Sequence, residues 1–262
     1  MRDARLAAVA IALFVALSMA ASAAGAPAKS RVSPETFARV ASGVGLVRSD
    51  PDCRGKRRPG YGTGFLVGSQ VVVTALHGVG SPDGRRACRI QVRLSGRWYE
   101  TAYARAWYGA RAAARYVDLA TLKLTRPAPG HLFEFAASLP RRGSTIATIG
   151  HPRALPLSFH QGLLRRGLIS DGVPTVIVHM VAEGGNSGGP IIDREGRVVS
   201  IVQRAAYPEE DPVQGLHLAG GLDLTAWFGT SGARDLCRAY PQGGIPNCRP
   251  GRAGRQWVSL TP

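Results

Sequence analysis

The chain has 262 residues, is 45% hydrophobic, and carries a formal net charge of +16, with 33 Lys and Arg against 17 Asp and Glu. Its length admits one large β domain or two small fused barrels. Past the first residues no apolar run is long enough to span a bilayer, and no nucleic-acid-binding motif accompanies the positive charge, so no transmembrane segment is expected in the mature chain and no nucleic acid as partner.

Taken in order, Met1-Arg2-Asp3-Ala4-Arg5 precedes an apolar stretch from Leu6 to Ala20, followed by Ala21-Ser22-Ala23. A basic start, an apolar middle and a small-x-small end predict a secretory signal peptide over 1–23, with the mature protein in the periplasm or outside the cell. An uncleaved anchor is the competing reading. An N-terminal segment, 24–42, follows and contains one helix-like stretch, Glu35–Ala41. Short β-rich runs then recur between turn signals: Phe65–Val67, Val71–Thr74, Ile90–Leu94, Ala120–Leu124, Thr145–Ile149, Thr175–Val181, Ile191–Ile192 and Val198–Val202. This is an all-β pattern. Leu224–Trp227 is the second helix-like stretch.

Three segments carry chemistry. The hairpin-like run from Gly62 to Thr74 ends in Ala75-Leu76-His77, which sets a histidine at the end of an apolar strand. Asp118 opens the next strand, Asp118-Leu119-Ala120-Thr121-Leu122. Gly184-Gly185-Asn186-Ser187-Gly188-Gly189-Pro190 puts a serine in a glycine-rich turn between two apolar runs. A serine hydroxyl is a weak nucleophile until a histidine takes its proton and a third group orients that histidine. Glycines let the backbone turn sharply enough to aim N–H donors at a developing oxyanion. Alone, the histidine reads as structural, the aspartate as a turn residue and the glycine run as a plain hairpin.

Together, in the order His, Asp, Ser, the three motifs resemble the chymotrypsin-like serine peptidases. They look closest to the bacterial trypsin-like group that includes the catalytic domain of the high-temperature-requirement proteases. The resemblance runs from about Gly60 to about Trp227. It implies two six-stranded antiparallel β-barrels with the active site between them: the first over 43–128, carrying His and Asp, and the second over 129–230, carrying Ser. Arg126-Pro127-Ala128-Pro129-Gly130 would be the linker. It also implies Ser187 as nucleophile, His77 as general base and then acid, and Asp118 as the group that fixes the imidazole tautomer. The backbone N–H groups of Gly185 and Ser187 would form the oxyanion hole. No cofactor or metal is implied. The substrate would be a polypeptide. No PDZ-like module fits after Trp227, so a regulated cage assembly is not implied.

Three departures modify this. Asn186 stands where many digestive members carry an aspartate that pairs with a freshly cut N-terminus. Since no Ile-Val-Gly-Gly start is present either, activation by such a cut is not expected. Val181, six residues before Ser187, stands where trypsin-like enzymes place an acid, so with Ala182 it predicts a substrate pocket that disfavours Lys and Arg. Gln203 and Arg204 are bulky where the family presents a small substrate-pairing segment, and are expected to narrow or charge the groove. By the same resemblance, His179 and His217 lie in segments that flank the specificity pocket. His131, His151 and His160 read as linker, turn and strand residues.

Four cysteines in an exported chain argue for two disulfides. Of the three pairings, Cys53–Cys88 with Cys237–Cys248 is the most economical; the second pair lies in a Pro/Gly-rich tail, 231–262. No close Cys-x-x-Cys pair supports zinc. The densest basic runs are Arg54-Gly55-Lys56-Arg57-Arg58, Arg141-Arg142 and Arg165-Arg166. They read as a solvated basic surface, with an anionic envelope component as the alternative partner. The reading as a whole is an exported serine endopeptidase. The alternative is a weak or inactive relative that acts as a basic envelope-binding protein.

Overall fold

The computed structural model describes residues 31–80, 87–108, 116–170, 173–206, 218–225, 240 and 257–260. The signal segment, His217, Cys237 and Cys248 lie outside them.

Helix α1, Pro34–Ala41, comes first. Ser33 caps it by accepting a 3.1 Å bond from Thr36 N–H, and Pro34 supplies a φ suited to the first turn. The helix packs on the second half of the chain: Phe37 meets Phe159 at 4.8 Å between ring centroids, and Arg39 donates to Glu195 O at 2.7 Å.

Six strands build the first barrel: β1 Val44–Asp50, β2 Gly60–Gly68, β3 Val71–Thr74, β4 Arg89–Leu94, β5 Arg97–Tyr108 and β6 Tyr116–Leu124. They run in the order β5-β4-β1-β2-β3-β6, all antiparallel, and β5 pairs with β6 to close the ring. Seven more form a second antiparallel sheet: β7 Thr145–Gly150, β8 Ser158–Ser170, β9 Val173–His179, β10 Pro190–Ile192, β11 Val198–Ile201, β12 Arg204–Ala206 and β13 Leu218–Leu222. Their order is β11-β10-β7-β8-β9-β13-β12, and a bridge between Ser200 and Asp223 curls β11 back toward the end of β13. A last strand, β14 Trp257–Leu260, pairs with β5 and so returns the C-terminal end to the first barrel. This is the two-barrel chymotrypsin-like architecture. Among the described residues no helix is long and apolar enough to cross a membrane.

The side-chain period of two explains why β2 and β3 are apolar on both faces. Leu66 and Val72 point into the first barrel with Val47, Val92 and Leu122. Phe65, Val71 and Val73 point the other way and pack with Ala147, Ile149, Ile192 and Ile201 of the second sheet. A third cluster, with Ile146, Leu164, Val176, Val178, Ile191 and Val199, fills the second barrel. Val71, Val72 and Val73 are all fully buried, and each such side chain stabilises the fold by roughly 1.5–3 kcal/mol. The same strand pair therefore closes one barrel and glues it to the other.

Every β-rich run expected from the sequence is a strand. The sequence did not reveal β1, β5, β8 or β12–β14. Strands β5 and β8 include Arg97, Arg105, Arg165 and Arg166 and lack a clean alternation. The predicted strand Thr175–Val181 ends earlier, at His179.

The disulfide Cys53–Cys88 is present, with the two Cα atoms 5.5 Å apart, and ties the β1–β2 connection to the start of β4. Tyr240 is buried against the first barrel, stacked on Tyr103 and hydrogen-bonded to Thr121. Burial pushes its phenol well above the usual range.

Candidate active site

His77 sits in a single 3-10 turn, Leu76–Gly78, directly after β3, with buried Leu76 as its anchor. The β3–β6 register pairs Thr74 with Ala120, so β6 carries Asp118 alongside that turn. Asp118 Oδ1 accepts from the His77 backbone N–H at 2.8 Å, and Oδ2 lies 2.6 Å from His77 Nδ1. A carboxylate accepts only, so the imidazole proton sits on Nδ1 and Nε2 is left as the basic nitrogen. The side chains of His77 and Asp118 remain 48% and 34% exposed, which puts them in an open cleft. Gln203 Nε2 donates to the Asp118 carbonyl oxygen at 2.6 Å and so fastens β6 to the second barrel.

Ser187 lies in the connection between β9 and β10. Just before it, Asn186 N–H donates to Glu183 O at 3.0 Å, closing a four-residue turn. Gly185, third in that turn, has a φ of +97°, the value a type II turn demands there. A Cβ on Gly185 would lie 2.4 Å from His151 O, so only glycine fits. The Gly184 carbonyl accepts from Arg153 N–H at 2.6 Å. Because C=O and N–H of a trans peptide point in opposite directions, this fixes Gly185 N–H away from Arg153. Among the described residues, neither Gly185 N–H nor Ser187 N–H donates to another group. The Ser187 hydroxyl likewise makes no hydrogen bond among them, and the residue is held through its backbone.

That holding comes from the first barrel. Thr63 N–H donates to Ser187 O at 2.8 Å, and Thr63 Oγ1 donates to Gly185 O at 2.7 Å. The same Oγ1 accepts from His151 N–H at 2.9 Å, while Thr63 O accepts from Thr74 Oγ1 at 2.7 Å. Gly188, with φ +84°, lets the loop lie flat on this contact: a Cβ there would sit 2.4 Å from Thr63 O and 2.6 Å from Ala75 N. Ala75 is two residues before His77, so the serine loop and the histidine turn share one support.

The loop behind the turn is itself tightly wound. Arg153 and Ala154 take left-handed φ values of 51° and 60°, each costing about 1–2 kcal/mol. His151 Nδ1 to Leu155 O at 3.0 Å and Arg153 Nε to Glu183 Oε2 at 3.0 Å hold that conformation. Burial pushes the His151 imidazole below its ordinary pKa. Asn186 is 1% exposed, and among the described residues neither its Nδ2 nor its Oδ1 has a hydrogen-bond partner. A neutral amide tolerates this at about 1–3 kcal/mol; a carboxylate in the same place would cost far more.

The substrate-pocket expectations fare differently. Ala182 is buried, but Val181 is 38% exposed, because past the end of β9 the chain alternates Met180 in, Val181 out, Ala182 in. Val181 is therefore open to solvent. The Gln203 amide is engaged by the Asp118 carbonyl. The backbone of Arg204 pairs with Gly220, and its side chain lies outside the described part. His179 is half-buried opposite Leu163 and Leu218. Among the described residues no cluster of metal-ligating side chains occurs. Sequence reasoning missed Thr63 and the 151–155 loop; the glycines on either side of Thr63 were the available signal of a close backbone approach.

Comparison with known proteins gives a consistent answer. A family model described as a trypsin-like peptidase domain matches residues 62–201. Serine protease HTRA2, mitochondrial, from Bos taurus is 28% identical over 191 residues, which is 66% of this chain and 39% of that protein. The chain thus spans well under half the length of this curated relative. The Rv3671c protease from M. tuberculosis, in its active form, superposes with a TM-score of 0.61 at 19% identity, covering 86% of this chain and 92% of that one. Its inactive form gives 0.56 at 20% identity, covering 74% and 92%. These structures are alike in fold.

Proposed function

Because this chain belongs to the trypsin-like peptidase family, we propose that it is an exported serine endopeptidase that cleaves polypeptides through an acyl-enzyme. The observation that carries this reading is the double bond pattern from His77 to Asp118, through backbone N–H and Nδ1 at once. It holds the ring in the tautomer whose Nε2 carries no proton and is the basic nitrogen. The leader over residues 1–23 supports export.

In this reading Ser187 Oγ attacks the scissile carbonyl carbon while His77 Nε2 takes its proton. The carbonyl oxygen becomes an oxyanion that Gly185 N–H and Ser187 N–H stabilise, each donor being worth about 3 kcal/mol in the transition state. His77 then hands its proton to the leaving amine as the C–N bond breaks. Water repeats the sequence on the acyl-enzyme and restores Ser187. Asp118 stabilises the imidazolium formed in both halves and is not itself protonated.

The test is active-site labelling. Mature protein treated with a fluorophosphonate is expected to carry one adduct, on Ser187, and to hydrolyse denatured protein. Folded protein that takes no label would move the assignment to an inactive relative.

A further inference from the structure

We propose that the cavity beside His77 is a leaving-group subsite for acidic side chains, so that the enzyme favours peptide bonds followed by Asp or Glu. The proposal rests on the peptidase reading given above and names a substrate class for that same site.

The cavity holds about 550 Å3. His77 and Val79 form one wall, Ser49 and Gly60 at the facing ends of β1 and β2 another, and Arg57 and Arg58 its rim. Among the described residues, none of the Ser187 loop lines it, and neither does Gln203. Ser49, Gly60, Val79 and Ala87 place it within the first barrel, beside His77. In acyl transfer the histidine delivers its proton to the departing amine, so the chain beyond the scissile bond must leave past His77. A cavity walled by His77 and otherwise built from the first barrel receives that portion of the substrate.

Its charge follows from the residues at its edge. Asp52 Oδ1 accepts from the backbone N–H groups of Arg54 and Lys56, both at 3.0 Å, and shapes the basic turn. Asp50 Oδ1 is engaged by Arg48 Nε at 3.1 Å. None of the described lining residues is acidic, and among the described residues neither Arg57 nor Arg58 forms an ion pair. The Cys53–Cys88 bridge anchors this connection to the start of β4. A guanidinium binds a carboxylate through two parallel N–H···O bonds, whereas a substrate Lys or Arg would meet like charge. Both arginines are exposed, so the discrimination is modest, about threefold to tenfold in kcat/KM.

A peptide library derived from a digested proteome, read by mass spectrometry, first finds a cleavable acyl half. Matched quenched peptides then vary only the first two residues after the cut: Glu, Ala or Lys. Glu is expected to be cleaved fastest and Lys slowest, with the spread shrinking between about 0.05 and 1 M salt as the charges are screened. The Arg57→Glu, Arg58→Glu double variant is expected to invert the Glu-to-Lys ratio. That ratio is measured within one preparation, so a partly unfolded variant does not disturb it. Equal rates on all three peptides by an enzyme that labels at Ser187 would overturn the subsite alone. Equal rates together with inhibition by dextran sulfate that the double variant relieves would assign the arginines to a polyanion instead. Absence of both labelling and hydrolysis would overturn the peptidase reading, and the subsite with it.

Discussion

Thr63 Oγ1 donates a 2.7 Å hydrogen bond to the carbonyl oxygen of Gly185, joining the first barrel to the turn of the second that leads into Ser187. Thr63 N–H adds a second bond to Ser187 O, so one residue of β2 grips the turn on both sides of Asn186. Thr63→Val keeps the shape but leaves Gly185 O and His151 N–H without their partner. The expected cost is about 1–3 kcal/mol of stability for each buried group left unpaired. A fall in kcat/KM of tenfold or more should accompany it, carried mainly by kcat. Thr63→Ser keeps the hydroxyl and should restore most of the loss. Steady-state kinetics beside thermal unfolding checks this; unchanged kcat in Thr63→Val would separate the turn from the first barrel.

On the proposed mechanism Ser187, His77 and Asp118 should fail as a unit. Ser187→Ala and His77→Ala should each remove nearly all turnover, and the double variant should be little worse than either. Asp118→Asn should fold normally yet lose activity by several orders of magnitude, since an amide that donates to Nδ1 places the imidazole proton on Nε2. Turnover on one quenched peptide, with circular dichroism as the folding control, reads all four. Losses that simply add would mean that Ser187 and His77 do not act on one step.

Asn186→Asp should be strongly destabilising, because it puts a charge where neither amide atom has a hydrogen-bond partner among the described residues. Burial would raise the new carboxyl's folded pKa. Its penalty is then absent below about pH 4, where folded and unfolded states both hold the proton, and grows as the pH rises. The unfolding temperature relative to the parent should therefore converge in acid and diverge toward neutrality. A variant as stable as the parent at pH 7 would show that a partner reaches the site.

His151 sets an opposite dependence. Burial lowers its folded pKa, so below about pH 6.5 the unfolded chain takes up a proton that the folded one refuses. Stability from this group is complete above the unfolded pKa and is lost as pH falls toward the folded one. His131, also lowered by burial, adds in the same direction. Denaturant midpoints from pH 8 to 5 should fall, and His151→Asn should flatten part of that slope. An identical slope in parent and variant would assign it to other groups.

The sequence alone determined the all-β character, the helix after residue 30, the eight β-rich runs, and the order of His77, Asp118 and Ser187. Each of these is written locally, in alternation, in turn glycines or in a short motif whose residues stand next to each other. The Cys53–Cys88 pairing was also the simplest choice available. The remaining decisions came from contacts between residues far apart in the chain. Thr63 and Gly185 are separated by 122 positions, and Gln203 and Asp118 by 85. Nothing in the neighbourhood of Gln203 tells that its amide reaches a carbonyl of the other barrel. The exposure of Val181 has a related origin: β9 ends at His179, and the side chain's direction depends on where the strand stops. The arginine-bearing strands β5 and β8 escaped detection because their regularity comes from pairing with neighbours. Pairing supplies their hydrogen bonds whatever their own side chains favour, and only the closed barrel and its curled partner bring those neighbours together.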